Sequence, residues 1–291
     1  MTEKALQGLR IVVTRSKKQA GSLSAKFKSL GAEVYEFPVI AIDPPQSWKP
    51  LDDAIDRIKT YDWVLFASAN AVDAFMARAE AVGIGKEELE NTKLAVIGPG
   101  TAGSLKERGL TPNFSPSCFI AETLVAEFPG YPNMKGMKIL WPRTNVGRTY
   151  IIEKFQAAGA VLDVVESYRT SLPPNDQEIA ERLTTLLSKS VIDVITLASA
   201  QSARNLRSII ATGLEKKLGD KKIAVPIGIE AIRNALAGVV VATIGPETSE
   251  SARRHLGKVD VEAREYTIDG LVEAVVSHTI SQPPSQSQPQ S

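Results

Sequence analysis

Short apolar runs alternate with stretches of helical periodicity along nearly the whole chain. Leu9–Thr14, Glu33–Phe37, Trp63–Ala67, Lys93–Ile97, Lys138–Trp141, Asp193–Ala198 and Val240–Ile244 read as strands. Between them, residues 19–30, 51–59, 68–81, 99–108, 119–128, 150–158 and 266–275 carry helical spacing. Gly31, Gly109 and Gly159 close three of these helices, as C-terminal glycines do. Pro38, Pro44 and Pro45 mark one extended connector, and Ser167–Pro174 a second with its own proline pair. Strands that alternate with helices predict an α/β fold of doubly wound parallel sheets, helices covering both faces. Ligands of such sheets bind beyond the carboxyl ends of the strands.

The pattern occurs twice. Lys93-Leu-Ala-Val-Ile-Gly-Pro-Gly-Thr-Ala102 is echoed by Val240-Val-Ala-Thr-Ile-Gly-Pro-Glu-Thr-Ser249. From Lys138 the chain starts again: Pro142-Arg143 matches Thr14-Arg15, Gly159-Ala160 matches Gly31-Ala32, and Ser199-Ala-Gln201 matches Ser68-Ala-Asn70. Tyr266–Val275 matches Phe119–Phe128, and the second copy carries an insertion around Glu215–Asn234. Two similar units are therefore expected, facing each other across a ligand cleft. The Pro/Gln/Ser-rich residues 281–291 are expected to be a disordered tail.

Composition narrows the partners. A chain of 291 residues has room for two cores, and 43% hydrophobic with 23% charged residues is ordinary for a globular protein. A net charge of +1 argues against nucleic-acid and membrane-surface binding. The single Cys118 excludes a disulfide framework, and no apolar run is long enough to span a membrane. The opening Met1–Gly8 lacks an apolar signal core, so a cytoplasmic location is expected. With two histidines and one cysteine, no zinc site is expected.

The chemistry concentrates at the strand-to-helix turns. A strand that stops at Gly-Pro and restarts as a helix leaves bare N–H groups and a dipole suited to a carboxylate or phosphate. Thr101 and Thr248 stand where an N-cap hydroxyl is expected; a tight turn with a structural cap is the simpler reading of either copy alone. Gly98-Pro-Gly-Thr-Ala-Gly103 matches G-x-G-x-x-G formally. No acidic residue ends the next strand near Asn113-Phe114, and the second copy lacks the later glycines, so nicotinamide binding is not expected. Arg15, Arg143 and Arg148, near the starts of first helices, could pair with carboxylates or be plain surface arginines. Tyr168, near a strand end, reads first as a half-buried packing residue. Two histidines do not assemble a Ser-His-Asp or Cys-His arrangement.

Thr14-Arg15, Phe66-Ala-Ser-Ala-Asn-Ala-Val72, Ile97-Gly-Pro-Gly-Thr-Ala102, Pro142-Arg143, Ser167-Tyr-Arg-Thr170, Ile244-Gly-Pro-Glu-Thr248 and Tyr266-Thr-Ile-Asp-Gly-Leu271 occur in an order and spacing that resembles the uroporphyrinogen-III synthase family. The resemblance covers about Gly8 to Ser277; Leu-Ala-Ser-Ala-Gln201 departs from the family's Ser/Thr-rich second turn. It implies two α/β domains joined by a two-stranded β linker, one discontinuous (residues 1–38 with 173–280) and one of residues 41–166. It implies closure of the linear tetrapyrrole hydroxymethylbilane to uroporphyrinogen III, with inversion of ring D and loss of water. The pyrrole nitrogen can expel the hydroxyl to give an azafulvenium cation, and a spiro intermediate then re-closes the other way round. By the same resemblance Tyr168 is the acid for the leaving hydroxyl. Arg15, Ser68, Ala69, Asn70, Gly98, Gly100, Thr101, Arg143, Arg148, Ser199, Ala200, Gln201, Pro246, Glu247 and Thr248 are the expected substrate contacts. No cofactor is implied. The only partners expected are the small-molecule substrate and, transiently, the enzyme that supplies it to a monomer. A non-catalytic two-lobed binder of a small polyanion is the alternative, and a two-domain glycosyltransferase a third option with fewer supporting residues.

Overall fold

Residues 4–89, 92–218 and 227–281 are described by the computed structural model. They divide into two compact units, one of residues up to Ala41 together with those from Leu172 onward, the other Ile42–Ser171.

The discontinuous unit contains β1 (Arg10–Val13), α1 (Lys17–Ser29) and β2 (Glu33–Glu36). Far along the chain it adds α7 (Asp176–Ser188), β8 (Val194–Leu197), α8 (Ala200–Leu218), α9 (Ile229–Ala235), β9 (Val240–Thr243), α10 (Pro246–Leu256), β10 (Val261–Glu262) and α11 (Ile268–Ser281). The continuous unit contains β3 (Ala41–Asp43), α2 (Lys49–Ile55), β4 (Trp63–Phe66), α3 (Ala69–Ala81), β5 (Lys93–Val96), α4 (Pro99–Lys106), α5 (Ala121–Glu127), β6 (Lys138–Thr144), α6 (Tyr150–Ala157) and β7 (Val161–Ser171).

Each unit is built on a five-stranded sheet, ordered β10-β9-β8-β1-β2 in the first and β3-β7-β6-β4-β5 in the second. The pairings β1–β2, β1–β8, β8–β9 and β9–β10 are all parallel, as are β4–β5, β4–β6 and β6–β7. The central strands β4, Trp-Val-Leu-Phe, and β8, Val-Ile-Thr-Leu, are buried throughout, as a parallel sheet covered on both faces requires.

Helices cover both faces of each sheet. In the first unit Val12, Ile195, Leu197 and Val241 pack under α7–α10, while Ile11, Val13, Val194 and Ala242 pack under α1 and α11. In the second, Val64, Phe66, Leu94 and Leu140 face α2–α4, while Trp63, Leu65, Ile139 and Trp141 face α5 and α6.

The internal repeat has a spatial counterpart. Reading across the sheets, β2-β1-β8-β9 of one unit corresponds to β7-β6-β4-β5 of the other. Beyond β5, Phe114 makes a lone parallel bridge to Ala95 where the first unit has β10 beside β9. In each sheet the connections depart in opposite directions from one central strand pair, β1/β8 or β4/β6. That is the switch point at which open α/β sheets bind ligands.

Several elements differ from the sequence expectation. The helix expected over Leu51–Lys59 ends at Ile55 and continues as a 3-10 turn over Ile58–Thr60. The supposed connector Ser167–Pro174 is still strand as far as Ser171, because β7 pairs with β6 through Tyr168 and has β3 as its other neighbour. Ser281, assigned to the tail, ends α11, and residues 282–291 lie outside the described residues. Within the expected insertion, α8 runs on to Leu218 and α9 begins at Ile229; residues 219–226 lie outside the described ones. No described helix is long and apolar enough to cross a membrane.

Candidate functional site

The Gly-Pro turns start helices, but not with threonine caps. Gly98 and Gly245 occupy the N-cap positions of α4 and α10, and Pro99 and Pro246 the first helical positions. Proline suits that position because it has no N–H to leave unpaired. Thr101 and Thr248 stand three residues past the cap, and neither caps its helix. At Gly245 an aromatic ring leaves little room for a side chain at the cap, whereas at Gly98 the neighbouring Phe119 is at ordinary contact distance. A Cβ on Gly245 would lie 3.0 Å from the Tyr266 ring, and one on Gly98 would lie 3.6 Å from Phe119. Pro99, Gly100, Pro246 and Glu247 are exposed while both threonines are buried. The Thr101 N–H donates to Gly98 O at 3.1 Å.

The other two turns carry serine caps. Ser68 Oγ accepts from Ala71 N–H at 3.1 Å at the start of α3, where Ala69 and Asn70 form the first turn. Ser199 and Ser202 cap α8 reciprocally: Ser199 Oγ accepts from Ser202 N–H and Ser202 Oγ from Ser199 N–H, both at 3.1 Å. Gln201 is drawn along the helix, its Nε2 donating to Asn205 Oδ1 at 2.8 Å, and Ala200 O accepts from Ser251 Oγ at 2.8 Å.

At the β4/β6 switch point three predicted residues come together. Tyr168, on β7, is 6% exposed, and its hydroxyl lies 3.0 Å from Ser68 Oγ. Burial pushes the phenol above its ordinary pKa, against a smaller opposing pull from the Ser68 hydrogen bond and the Arg143 charge. Arg143, at the carboxyl end of β6, lies over the Trp141 ring at 4.5 Å. It donates to Arg148 O at 3.1 Å and Val146 O at 3.2 Å. The loop closes so tightly around this guanidinium that a Cβ on Gly147, at φ +135°, would lie 2.3 Å from Arg143 Nη2. Burial lowers the Arg143 pKa, and among the described residues it has no carboxylate partner.

Arg15 holds the corresponding place after β1. It too is desolvated with its pKa lowered, and its contact is a long 3.4 Å hydrogen bond to Gln19 Oε1. A half-buried arginine without a counter-ion is the group that a carboxylate ligand would complete. Arg148 is different: it pairs with Glu122 at 2.7 Å and its charge lies 5.7 Å from the Tyr150 ring centre.

Sequence reasoning missed Trp141 under Arg143, Gly147 around it, and the aromatic covers Phe119 and Tyr266. The pairing of Phe119–Phe128 with Tyr266–Val275 was the available signal for the covers. Among the described residues no cluster of His, Cys, Asp or Glu could hold a metal.

A family model described as "Uroporphyrinogen-III synthase HemD" matches residues 21–273. A uroporphyrinogen-III synthase of Synechococcus elongatus is 35% identical over 279 residues, which is 94% of this chain and 97% of that protein. A porphyrin biosynthesis protein HemD of Ruminiclostridium josui is 27% identical over 94% of this chain but only 49% of its own length. Among solved structures, a mutant uroporphyrinogen III synthase of Thermus thermophilus superposes with a TM-score of 0.62 at 18% identity, covering 94% of this chain and all of that one (100%). The Helicobacter pylori uroporphyrinogen-III synthetase gives 0.52 at 12%, covering 93% and 99%. The structural likenesses carry the two-domain α/β fold, and the extent of the family match and of the Synechococcus alignment carries the rest: this chain belongs to the uroporphyrinogen-III synthase family.

Proposed function

We propose that Tyr168 is the acid with which this chain starts the family's reaction, closure of hydroxymethylbilane to uroporphyrinogen III with loss of water. The observation that carries this is a buried phenol near the end of β7, 3.0 Å from a capping serine and within the field of an arginine that has no carboxylate partner among the described residues. Pyrrole nitrogen expels the hydroxyl only as fast as the leaving oxygen is protonated. A positioned acid typically contributes about 10²–10⁴-fold. A phenol, with an ordinary pKa of about 10, is protonated at neutral pH, and burial moves it further in that direction, while Arg143 tempers the charge left behind.

The substrate carries an acetate and a propionate on each pyrrole. Arg15, Arg143 and the hydroxyls of Thr101 and Thr248 are the groups assigned to those carboxylates. The starts of α3, α4, α8 and α10 supply the N–H groups, through Ser68, Ala69, Asn70, Gly98, Gly100, Ala200, Gln201 and Glu247, while Pro246, which has no N–H, and Ser199, whose N–H is given to Ser202 Oγ, shape their turns. Arg148, tied to Glu122, would have to exchange that partner for a substrate carboxylate. The division of labour follows two domains, residues 1–38 with 173–280 and residues 41–166. Action as a cytoplasmic monomer that takes hydroxymethylbilane from its supplier by transient contact belongs to the same proposal; the single cysteine supports the reducing compartment.

The test is Tyr168→Phe. Turnover should fall by about 10²-fold, at the lower end of the general-acid range because water can donate in its place. The product should remain mainly isomer III, since ring-D placement rests on many contacts. Wild-type turnover would remove Tyr168 from the mechanism. A large drop in melting temperature would assign its hydroxyl to holding β7 in place.

A further inference from the structure

Ser68 makes two hydrogen bonds with one oxygen. Its Oγ accepts from Ala71 N–H at 3.1 Å and lies 3.0 Å from the Tyr168 hydroxyl. One lone pair is thus committed to the first turn of α3, a thirteen-residue helix whose N-terminal partial positive charge reaches that oxygen. If Tyr168 donated to Ser68, its proton would point away from any ligand. If Ser68 donates to Tyr168, the phenol proton is left for the ligand, and the phenol oxygen is held by a donor that a helix N-terminus polarises.

We propose that Ser68 is the positioning residue of the acid: it donates to the Tyr168 oxygen and couples the charge that develops there to the N-terminus of α3. The inference rests on the reading of Tyr168 as the acid and moves Ser68 from the substrate-contact group to a different role. The ordered chain is Ala71 N–H to Ser68 Oγ, Ser68 O–H to Tyr168 Oη, and Tyr168 O–H to the leaving hydroxyl. As the C–O bond breaks and its electron pair goes to oxygen, the Tyr168 proton moves to that oxygen and water departs. The phenolate left behind accepts the Ser68 hydrogen bond, and charged donors and acceptors make hydrogen bonds roughly twice as strong as neutral ones. It is reprotonated by the proton that the last pyrrole carbon to close gives up on re-aromatising. Polarisation along such a chain strengthens each bond in it. The charged group bearing on the phenol, among the described residues, is Arg143 on β6, which acts in the same direction.

The discriminating variant is Ser68→Asp. Aspartate caps a helix as well as serine does, but at neutral pH it can only accept. The phenol would then donate to it and withdraw its proton from the substrate. The protein should melt near the wild-type temperature while turnover falls about as far as in Tyr168→Phe. The double variant should be no slower than either single one. The phenol should titrate at higher pH than in the wild type, read as tyrosinate absorbance after subtracting the matching Tyr168→Phe protein. Ser68→Thr, which keeps both the cap and the donor, should restore the phenol titration and most of the turnover. Should Ser68→Asp melt far below the wild type, Ser68→Ala carries the same titration test.

A phenol that titrates alike in wild type, Ser68→Asp and Ser68→Ala overturns the coupling. So do additive rate losses in the double variant. If Tyr168→Phe alone keeps wild-type turnover, the acid assignment fails, and the titration by itself still decides whether Ser68 holds the phenol.

Discussion

Two threonines and two arginines carry most of what the residue scale can test. Thr101 and Thr248 are buried beside exposed Gly-Pro turns, and neither hydroxyl serves as the cap. Their substitution by valine keeps shape and removes only the hydroxyl. Each change should weaken product binding by roughly 10- to 100-fold, the worth of one hydrogen bond to a charged partner, with the melting temperature little altered. A fluorescence titration with product measures this; unchanged affinity in both variants would make the hydroxyls packing groups. Arg15 and Arg143 share desolvation and, among the described residues, lack a counter-ion, yet they differ in attachment. Arg143 is fixed by two carbonyls of its own loop, and Gly147 is bent to make room for it. Arg143→Lys cannot make that fork, so it should disturb the loop as well as binding, whereas Arg15→Lys should cost affinity alone. Hydrogen exchange over residues 143–149 separates the two outcomes.

At the scale of elements, α10 and the α7–α8 crossing make distinct predictions. His255 lies in the last turn of α10, its pKa lowered first by burial and then by Arg204, Arg207 and Arg254. A base with a lowered folded pKa binds fewer protons folded than unfolded once pH drops below the unfolded value of about 6.5. Stability is therefore present in full above that value and is lost as pH falls from it through the folded pKa. Urea unfolding at pH 7.5 and 5.5 should show this loss in the wild type and less of it in His255→Gln; equal loss in both would contradict the assignment. Where α7 crosses α8, a Cβ on Gly213 would lie 2.5 Å from Ala180 O and 2.5 Å from Thr184 Cγ2. Gly213→Ala should destabilise the fold by about 1–3 kcal/mol through overpacking, read as a lower denaturation midpoint.

These elements also show where sequence reading stops. The central strands were legible because β4 is a continuous apolar run and β8 one interrupted only by Thr196, both closed by Ser-Ala turns. The cap at Gly245 was misplaced because the tight contact there, the Tyr266 ring, comes from a segment farther along the chain; at Gly98 the contact with Phe119 is an ordinary one. The end of β7 was read as a connector because proline follows it closely. Tyr168 remains in strand because pairing with Thr144, past a bulge at Ser167 of β7, outweighs that local signal.

For the molecule as a whole, the repeat in the sequence reappears as two sheets with the same spatial order of corresponding strands. The copies are not the compact units: the chain leaves one unit at Ala41 and re-enters it at Leu172. Periodicity marks strands and helices but not which sheet a strand joins, so this exchange was beyond bottom-up reading. It entered the reading only as what the family resemblance implies. The duplicated turns place polar N–H groups, hydroxyls and two arginines, without carboxylate partners among the described residues, at strand ends without making the chain strongly basic, which suits a ligand with many weakly held carboxylates.

Hydroxymethylbilane closes unaided, without inversion of ring D, so the isomer formed reports directly on what the protein adds. Purified protein should be mixed with freshly prepared hydroxymethylbilane, the products oxidised to porphyrins, and the isomers separated over time. The account predicts mainly isomer III, formed well ahead of the spontaneous reaction. Isomer I alone, appearing at the rate seen without protein, would contradict it.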